Sequence, residues 1–133
     1  MQSISIKSCD TATTLTFKVL SRDSEQTAFS AEISNAPFIG QIDSSTYFCG
    51  PPTILFQEMA RDWKGWPGTK EWRALDGELS ITASSDSVGH ITLITEMSYQ
   101  SGDFLLSATI TLEAGQLEQV FRAVNSLLPL DGF

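Results

Sequence analysis

Basic residues are scarce. The 133-residue chain carries 8 Lys and Arg against 16 Asp and Glu, a formal net charge of −8. Phosphate backbones are bound through neutralisation by Lys and Arg, so nucleic acid is a poor partner, and anionic membrane surfaces are disfavoured for the same reason. Opposite charge steers association, which leaves a basic protein as the favoured partner. Cysteine occurs twice, at Cys9 and Cys49, and histidine once, at His90. Ligands so few and so far apart do not match the paired spacings of structural zinc. No segment alternates carboxylates as a calcium loop does. No metal and no cofactor is therefore expected, and the two thiols read as reduced. Glycine-rich phosphate loops and a G-x-S-x-G elbow are missing, so no catalytic residue is assigned. No run approaches the ~20 apolar residues that span a bilayer. The start, "MQSISIKSCD", lacks the apolar stretch of a secretory signal, which makes a cytoplasmic location the expectation.

What is present describes a folded chain. Hydrophobic content is 41% and charged content 18%, in the globular range, and the length suits one domain over residues 1–133. "TTLTFKVL" alternates, with Leu15, Phe17 and Val19 opposite Thr14, Thr16 and Lys18. "TAFSAEIS", "ELSITAS", "HITLITEM" and "FLLSATITL" alternate in the same way, the signature of strands with one packed and one wet face. Weaker strands are predicted near Ser3–Ser8 and Pro37–Asp43. The short polar connections "SRDSEQ", "SSDSVG" and "YQSGD" read as turns. Thr14–Ser34 is thus a hairpin and Leu79–Leu112 a three-strand meander. Two helices are predicted. One runs through "PPTILFQEMARDWKGW", with Thr53 as a cap, Leu55, Met59 and Trp63 at helical spacing, and Gly65 and the Pro67–Gly68 pair as its stop. The other lies in "AGQLEQVFRAVNSLL", where Leu117, Val120, Phe121, Val124, Leu127 and Leu128 form one stripe before Pro129. No internal sequence repeat stands out. The expected fold is α+β: a mainly antiparallel sheet of about six or seven strands, with both helices packed on one face.

The most conspicuous segment is "RDWKGWPGTKEWRALDGE", which holds all three tryptophans, Trp63, Trp66 and Trp72. Exposed together they would present about 450–750 Å² of apolar surface, against about 300–600 Å² for the largest patch of a typical monomer. Full exposure would imply a partner; burial of one or two would make the segment a clasp between helix and sheet. The expectation is one buried face and one exposed ring. Trp66 and Trp72 are the favoured anchors, with Asp62, Glu71, Asp76 and Glu78 as the surrounding charges. A second reading places a small-molecule or enzymatic pocket between the helices and the sheet, with His90 and Glu96 as its polar groups. A third is self-association through the tryptophans, so that the chain is a monomer or a homodimer.

The runs "DWKGWPGTKEWRALDGELSITAS", "GHITL" and "TLEAGQLEQV" carry W-x-G-W, W-x-x-L-x-G-E-L, G-H-I-x-L and L-E-x-G-Q-L segments. These resemble a family of small uncharacterised bacterial proteins, a domain of unknown function, over the C-terminal half. The resemblance implies no activity and transfers no catalytic residue. In type rather than motif, a compact, acidic, β-rich chain is also similar to bacterial immunity proteins, which neutralise toxins of interbacterial competition. The expected function is accordingly a non-enzymatic module that binds a basic protein.

Overall fold

The computed structural model describes residues 2–130. Four strands come first: β1 (Ser3–Lys7), β2 (Thr14–Arg22), β3 (Thr27–Asn35) and β4 (Phe38–Ser45), followed by helix α1 (Thr53–Arg61). Four more follow: β5 (Thr69–Arg73), β6 (Leu79–Ser85), β7 (His90–Tyr99) and β8 (Phe104–Glu113), then helix α2 (Leu117–Leu127). Each set of four is its own antiparallel sheet with neighbours in chain order, β1-β2-β3-β4 and β5-β6-β7-β8. The expected α+β class and antiparallel pairing hold. The single sheet of six or seven strands does not: there are eight strands in two sheets. The chain therefore runs twice through the same order, four strands and a helix, although its sequence shows no repeat.

Alternation explains the strands. In β7, Ile91, Leu93, Thr95 and Met97 are buried while His90, Ile94 and Glu96 are exposed. In β2 and β3, Leu15, Phe17, Phe29, Ala31 and Ile33 form the buried face. Phe17 meets Phe29 edge-on at 5.8 Å, and Phe29 meets Trp72 at 6.2 Å across the two sheets. Each such side chain contributes about 1.5–3 kcal/mol through burial. Leu55, Phe56 and Met59 of α1 and Leu117, Val124 and Leu127 of α2 complete one continuous core.

The two sheets lie crosswise. Near its start β8 meets β4, where Leu106 Cδ2 fills the space a Cβ on Gly40 would take. Near its end β8 meets the β1–β2 loop: Cys9 donates its N–H to Thr111 O at 2.8 Å, and Thr111 donates its own to Ser8 Oγ at 2.9 Å. β8 thus spans the strand ends of the first sheet from β4 to β1. β4 does the reciprocal thing, running from Leu106 past β7 to Glu78 at the start of β6, where Ser44 donates a hydrogen bond. Packing of this kind places sheet corners and free edges where strands change neighbours.

The helices do not simply cover one face of a sheet. They pack against each other, with α1 also beside β5 and α2 beside β1. Thr53 is the first residue of α1 rather than its cap, a position Pro52 takes. Its buried hydroxyl donates to Leu128 O, and the Arg22 guanidinium donates to Leu127 O. Two carbonyls that the end of α2 would leave without partners are satisfied in this way. A 3-10 turn, Ala114–Gln116, leads into α2 through a capping box, in which Gln116 Oε1 accepts the Glu113 N–H at 2.8 Å. That pairing is the local work of the L-E-x-G-Q-L segment.

Candidate functional site

The tryptophan segment is divided by the fold. Trp72 lies on β5 and is only 5% exposed, its indole N–H donating to Gly50 O at 3.1 Å. Trp66 is half-buried and donates to Ala83 O at 3.3 Å. Both fasten the α1–β5 connection to the core, so the anchors favoured from sequence are structural, Trp72 entirely so. Trp63 alone is exposed, at 53%, with the Lys64 ammonium 5.5 Å from its ring. The charges around it are spoken for. Asp62 accepts a hydrogen bond from Lys70 at 2.8 Å and lies 3.5 Å from Arg61, and Lys70 in turn sits 5.2 Å from the Trp66 ring. Hydrogen bonds from Lys70, then Arg61, hold the Asp62 carboxyl below the usual aspartate range. Glu71 is exposed on β5, apart from the two acids that follow it.

His90 and Glu96 share the outer face of β7 but stand six residues apart, about 20 Å along a strand. They form no common pocket. His90 instead bridges two acids at the surface, with Nδ1 3.2 Å from Asp86 Oδ2 and Nε2 3.6 Å from Glu113 Oε1. Asp86 also accepts the Val88 and His90 backbone N–H groups, and with the imidazole these hold its carboxyl below the ordinary range. Asp86 therefore ties the β6–β7 turn. Cys9 Sγ approaches Glu113 Oε1 at 3.7 Å, and desolvation, then that carboxylate, push its thiol up. Burial pushes Cys49 up as well. Neither thiol is activated for nucleophilic work. Among the described residues no group of three metal-ligating side chains converges, and no helix is long and apolar enough to cross a membrane. A cleft of about 270 Å³ does lie between α2 and β1, lined by Ser5, Lys7, Gln116 and Gln119, but neither His90 nor Glu96 reaches it.

A larger concavity lies elsewhere. A groove of about 960 Å³ runs between β4 and the tip of the β7–β8 hairpin, closed at one end by the β5–β6 turn. Asp43, Asp76 and Glu78 supply three carboxylates, and Tyr99 and Phe104 form an aromatic lip. Their rings stand 6.3 Å apart and are 57% and 63% exposed. The local chain explains each placement. Gly77, at φ 77°, lets the β5–β6 turn close with Gly77 donating to Ala74 O, and this sets Asp76 and Glu78 on either side. Glu78 O accepts the Ser98 N–H at 2.9 Å, so the end of β7 is fastened beside the acid. Gln100 and Ser101 adopt left-handed φ values of 53° and 57° at the hairpin tip, turning Tyr99 and Phe104 to the same side.

Two features of this groove bear on binding. Among the described residues none of its three carboxylates forms an ion pair, a state they share with most acids of the chain but here gathered into one concavity; Asp62, Asp86, Glu113 and Glu118 are the paired ones. The Arg73 guanidinium lies over Gly77, between Asp76 and Glu78 in the chain, without forming an ion pair. Second, Glu78 Oε2 accepts the Ser44 hydroxyl at 2.6 Å while its Oε1 is buried with no hydrogen-bond partner. A buried carboxylate oxygen without a donor is costly. Next to the groove, Ile39 and Leu105 line a smaller apolar cleft of about 290 Å³ with Tyr99 and Phe104. Phe38 and Ile39 open β4 as Phe104 and Leu105 open β8, and all four are exposed.

Sequence reasoning named Asp76 and Glu78 but grouped them with the tryptophans; the structure sets them beside Asp43, Tyr99 and Phe104, with Ile39 and Leu105 next to these, none of which the sequence singled out. One signal for Tyr99 and Phe104 was available: they flank "QSGD", a polar turn that gives them nothing local to pack on.

No curated protein and no solved structure matches the chain. A family model does, over residues 6–131. The chain belongs to that family, a family of unknown function designated DUF6228.

Proposed function

We propose that this chain is a non-enzymatic acidic module that binds a basic protein, of the kind by which an immunity protein neutralises a basic toxin domain. The contact face is the groove between β4 and the β7–β8 tip rather than the tryptophan segment. One observation carries the reading: Asp43, Asp76 and Glu78 share a groove without an ion-pair partner among the described residues, against an exposed aromatic lip. Arg or Lys from a partner would supply charge-assisted hydrogen bonds to the exposed carboxylate oxygens of these acids. Tyr99, Phe104, Ile39 and Leu105 would supply the apolar anchor that dominates binding energy. The net charge of −8 would speed encounter with such a partner.

Affinity capture from the source cells tests this. The wild-type chain is expected to retain a basic protein, with retention falling as added salt shortens the Debye length toward about 8 Å. The Asp43→Asn/Asp76→Asn/Glu78→Gln variant is expected to lose it. Equal recovery on both chains would refute the groove as the contact face.

A further inference from the structure

The four strands at the sheet edges are not equivalent. β1 lies beside α2 and β5 beside α1. β8 is fastened along its outer side by the Ser8 and Cys9 contacts to Thr111. β4 is different. Thr46 donates its N–H to Thr27 O across the β3–β4 ladder. The register is unbroken from Ala28↔Ser45 to Asn35↔Phe38, so the residues two, four, six and eight before Thr46 bond to β3 in the same way. Ile39, Gln41 and Asp43 lie between them and turn both N–H and C=O away from the sheet. Among the described residues no hydrogen bond uses those outward backbone groups. The same three side chains are exposed, and the edge forms one wall of the acidic groove.

We propose that β4 is a docking edge: an extended, basic segment of the partner adds to it as a fifth strand of the first sheet. This rests on reading the groove as the site for a basic protein and specifies how it is used. Main-chain pairing to Ile39, Gln41 and Asp43 would give affinity, and alternate side chains would give specificity. Successive residues of a strand face opposite sides. Basic side chains on one face of the added segment therefore lie beside Asp43. Those on the other face lie above Glu78 and Asp76, with aliphatic neighbours against Tyr99, Phe104 and Leu105. A second copy of this chain is a poorer occupant. It would bring another −8 charge and set a second Asp43 on the same edge, where like charges facing each other destabilise a strand pair.

The probe is a blocked ten-residue peptide in which Arg-Arg and Val-Val pairs alternate, so that both faces of an added strand carry arginine and valine; it is titrated at low salt into the full chain by calorimetry, with light scattering to read the oligomeric state. Wild type is expected to bind as a monomer. Asp43→Asn/Glu78→Gln is expected to weaken binding by roughly tenfold or more. Gln41→Pro removes one outward N–H while leaving the β3 ladder intact, a substitution an edge strand tolerates. It is expected to keep the wild-type melting temperature and weaken binding by about tenfold. Gln41→Ala is expected to bind as wild type. Should Gln41→Pro misfold, backbone hydrogen exchange on the wild-type chain replaces it, with the peptide expected to slow exchange at Ile39, Gln41 and Asp43. Wild-type affinity in a folded Gln41→Pro chain, or unaltered exchange at those three amides with peptide bound, overturns strand addition. If the carboxylate variant alone fails to bind, the basic-partner reading survives that result. Peptide affinity untouched in the carboxylate variant overturns the basic-partner reading instead. No binding to wild type, or dimerisation through β4, overturns the proposed occupant.

Discussion

Two aromatic regions meet opposite fates in this molecule. The stretch from the end of α1 through β5 holds all three tryptophans, yet Trp72 is interior, Trp66 is half-buried, and Asp62 is paired with Lys70 and Arg61. The β7–β8 tip holds only Tyr99 and Phe104, yet both rings stand in solvent beside carboxylates without ion pairs. The difference teaches what makes an aromatic residue a binding residue. An indole whose N–H already has a backbone acceptor, and whose ring already touches Phe29, has spent its interactions on the fold. A ring held out on a tight turn has not.

The comparison breaks most visibly in stability. Trp72→Ala should cost about 3–5 kcal/mol, the range for truncating a buried aromatic, read from the urea midpoint of unfolding. A loss under 1 kcal/mol would mean that the indole is not part of the core. The β7–β8 tip should respond in the reverse sense. Phe104→Ala should leave the unfolding midpoint within about 0.5 kcal/mol of wild type and weaken binding of a basic partner by about 2 kcal/mol. Loss of stability without loss of affinity would reverse its assignment.

A smaller effect concerns Asp62. Its folded-state pKa is depressed by Lys70 and Arg61, so the carboxylate stabilises the fold above the unfolded value of about 3.9 and ceases to do so as pH falls through the depressed folded value. Asp62→Asn should therefore lower the melting temperature slightly at neutral pH and flatten its decline below about pH 4. The check is melting temperature against pH for both chains. Parallel curves would show that the pair contributes nothing measurable, as exposed pairs often do. The least effect is expected at Trp63: its replacement by alanine should change both stability and affinity by no more than about 0.5 kcal/mol. A tenfold loss of affinity would return the tryptophan segment to the binding face.

Much of the fold was legible because burial on one face imprints alternation. β2, β3, β6, β7 and β8 follow from it directly, and α2 from its stripe. β5 did not, since "TKEWR" has a single apolar residue, Trp72, to show for its buried face. Division into two crosswise sheets was invisible as well: alternation says that a face is covered, not what covers it. The doubled order of four strands and a helix left no sequence trace because partners across the core differ in size. Gly40 opposite Leu106 is one such pair. The groove was the least legible part. It gathers Asp43 from β4, Asp76 to Glu78 from one turn and Tyr99 to Phe104 from another, and only the folded chain brings them together. Net charge and aromatic density were both legible in the sequence; which carboxylates stand beside which rings was not.

The most direct measurement is a backbone amide chemical-shift titration of the full chain with the arginine–valine peptide at low salt. The expected result is a set of perturbations running along Ile39, Gln41 and Asp43 and across to Glu78 and Tyr99, with the Trp63–Trp66 amides unmoved. Perturbations centred on Trp63 and Lys64, with β4 silent, would contradict the account.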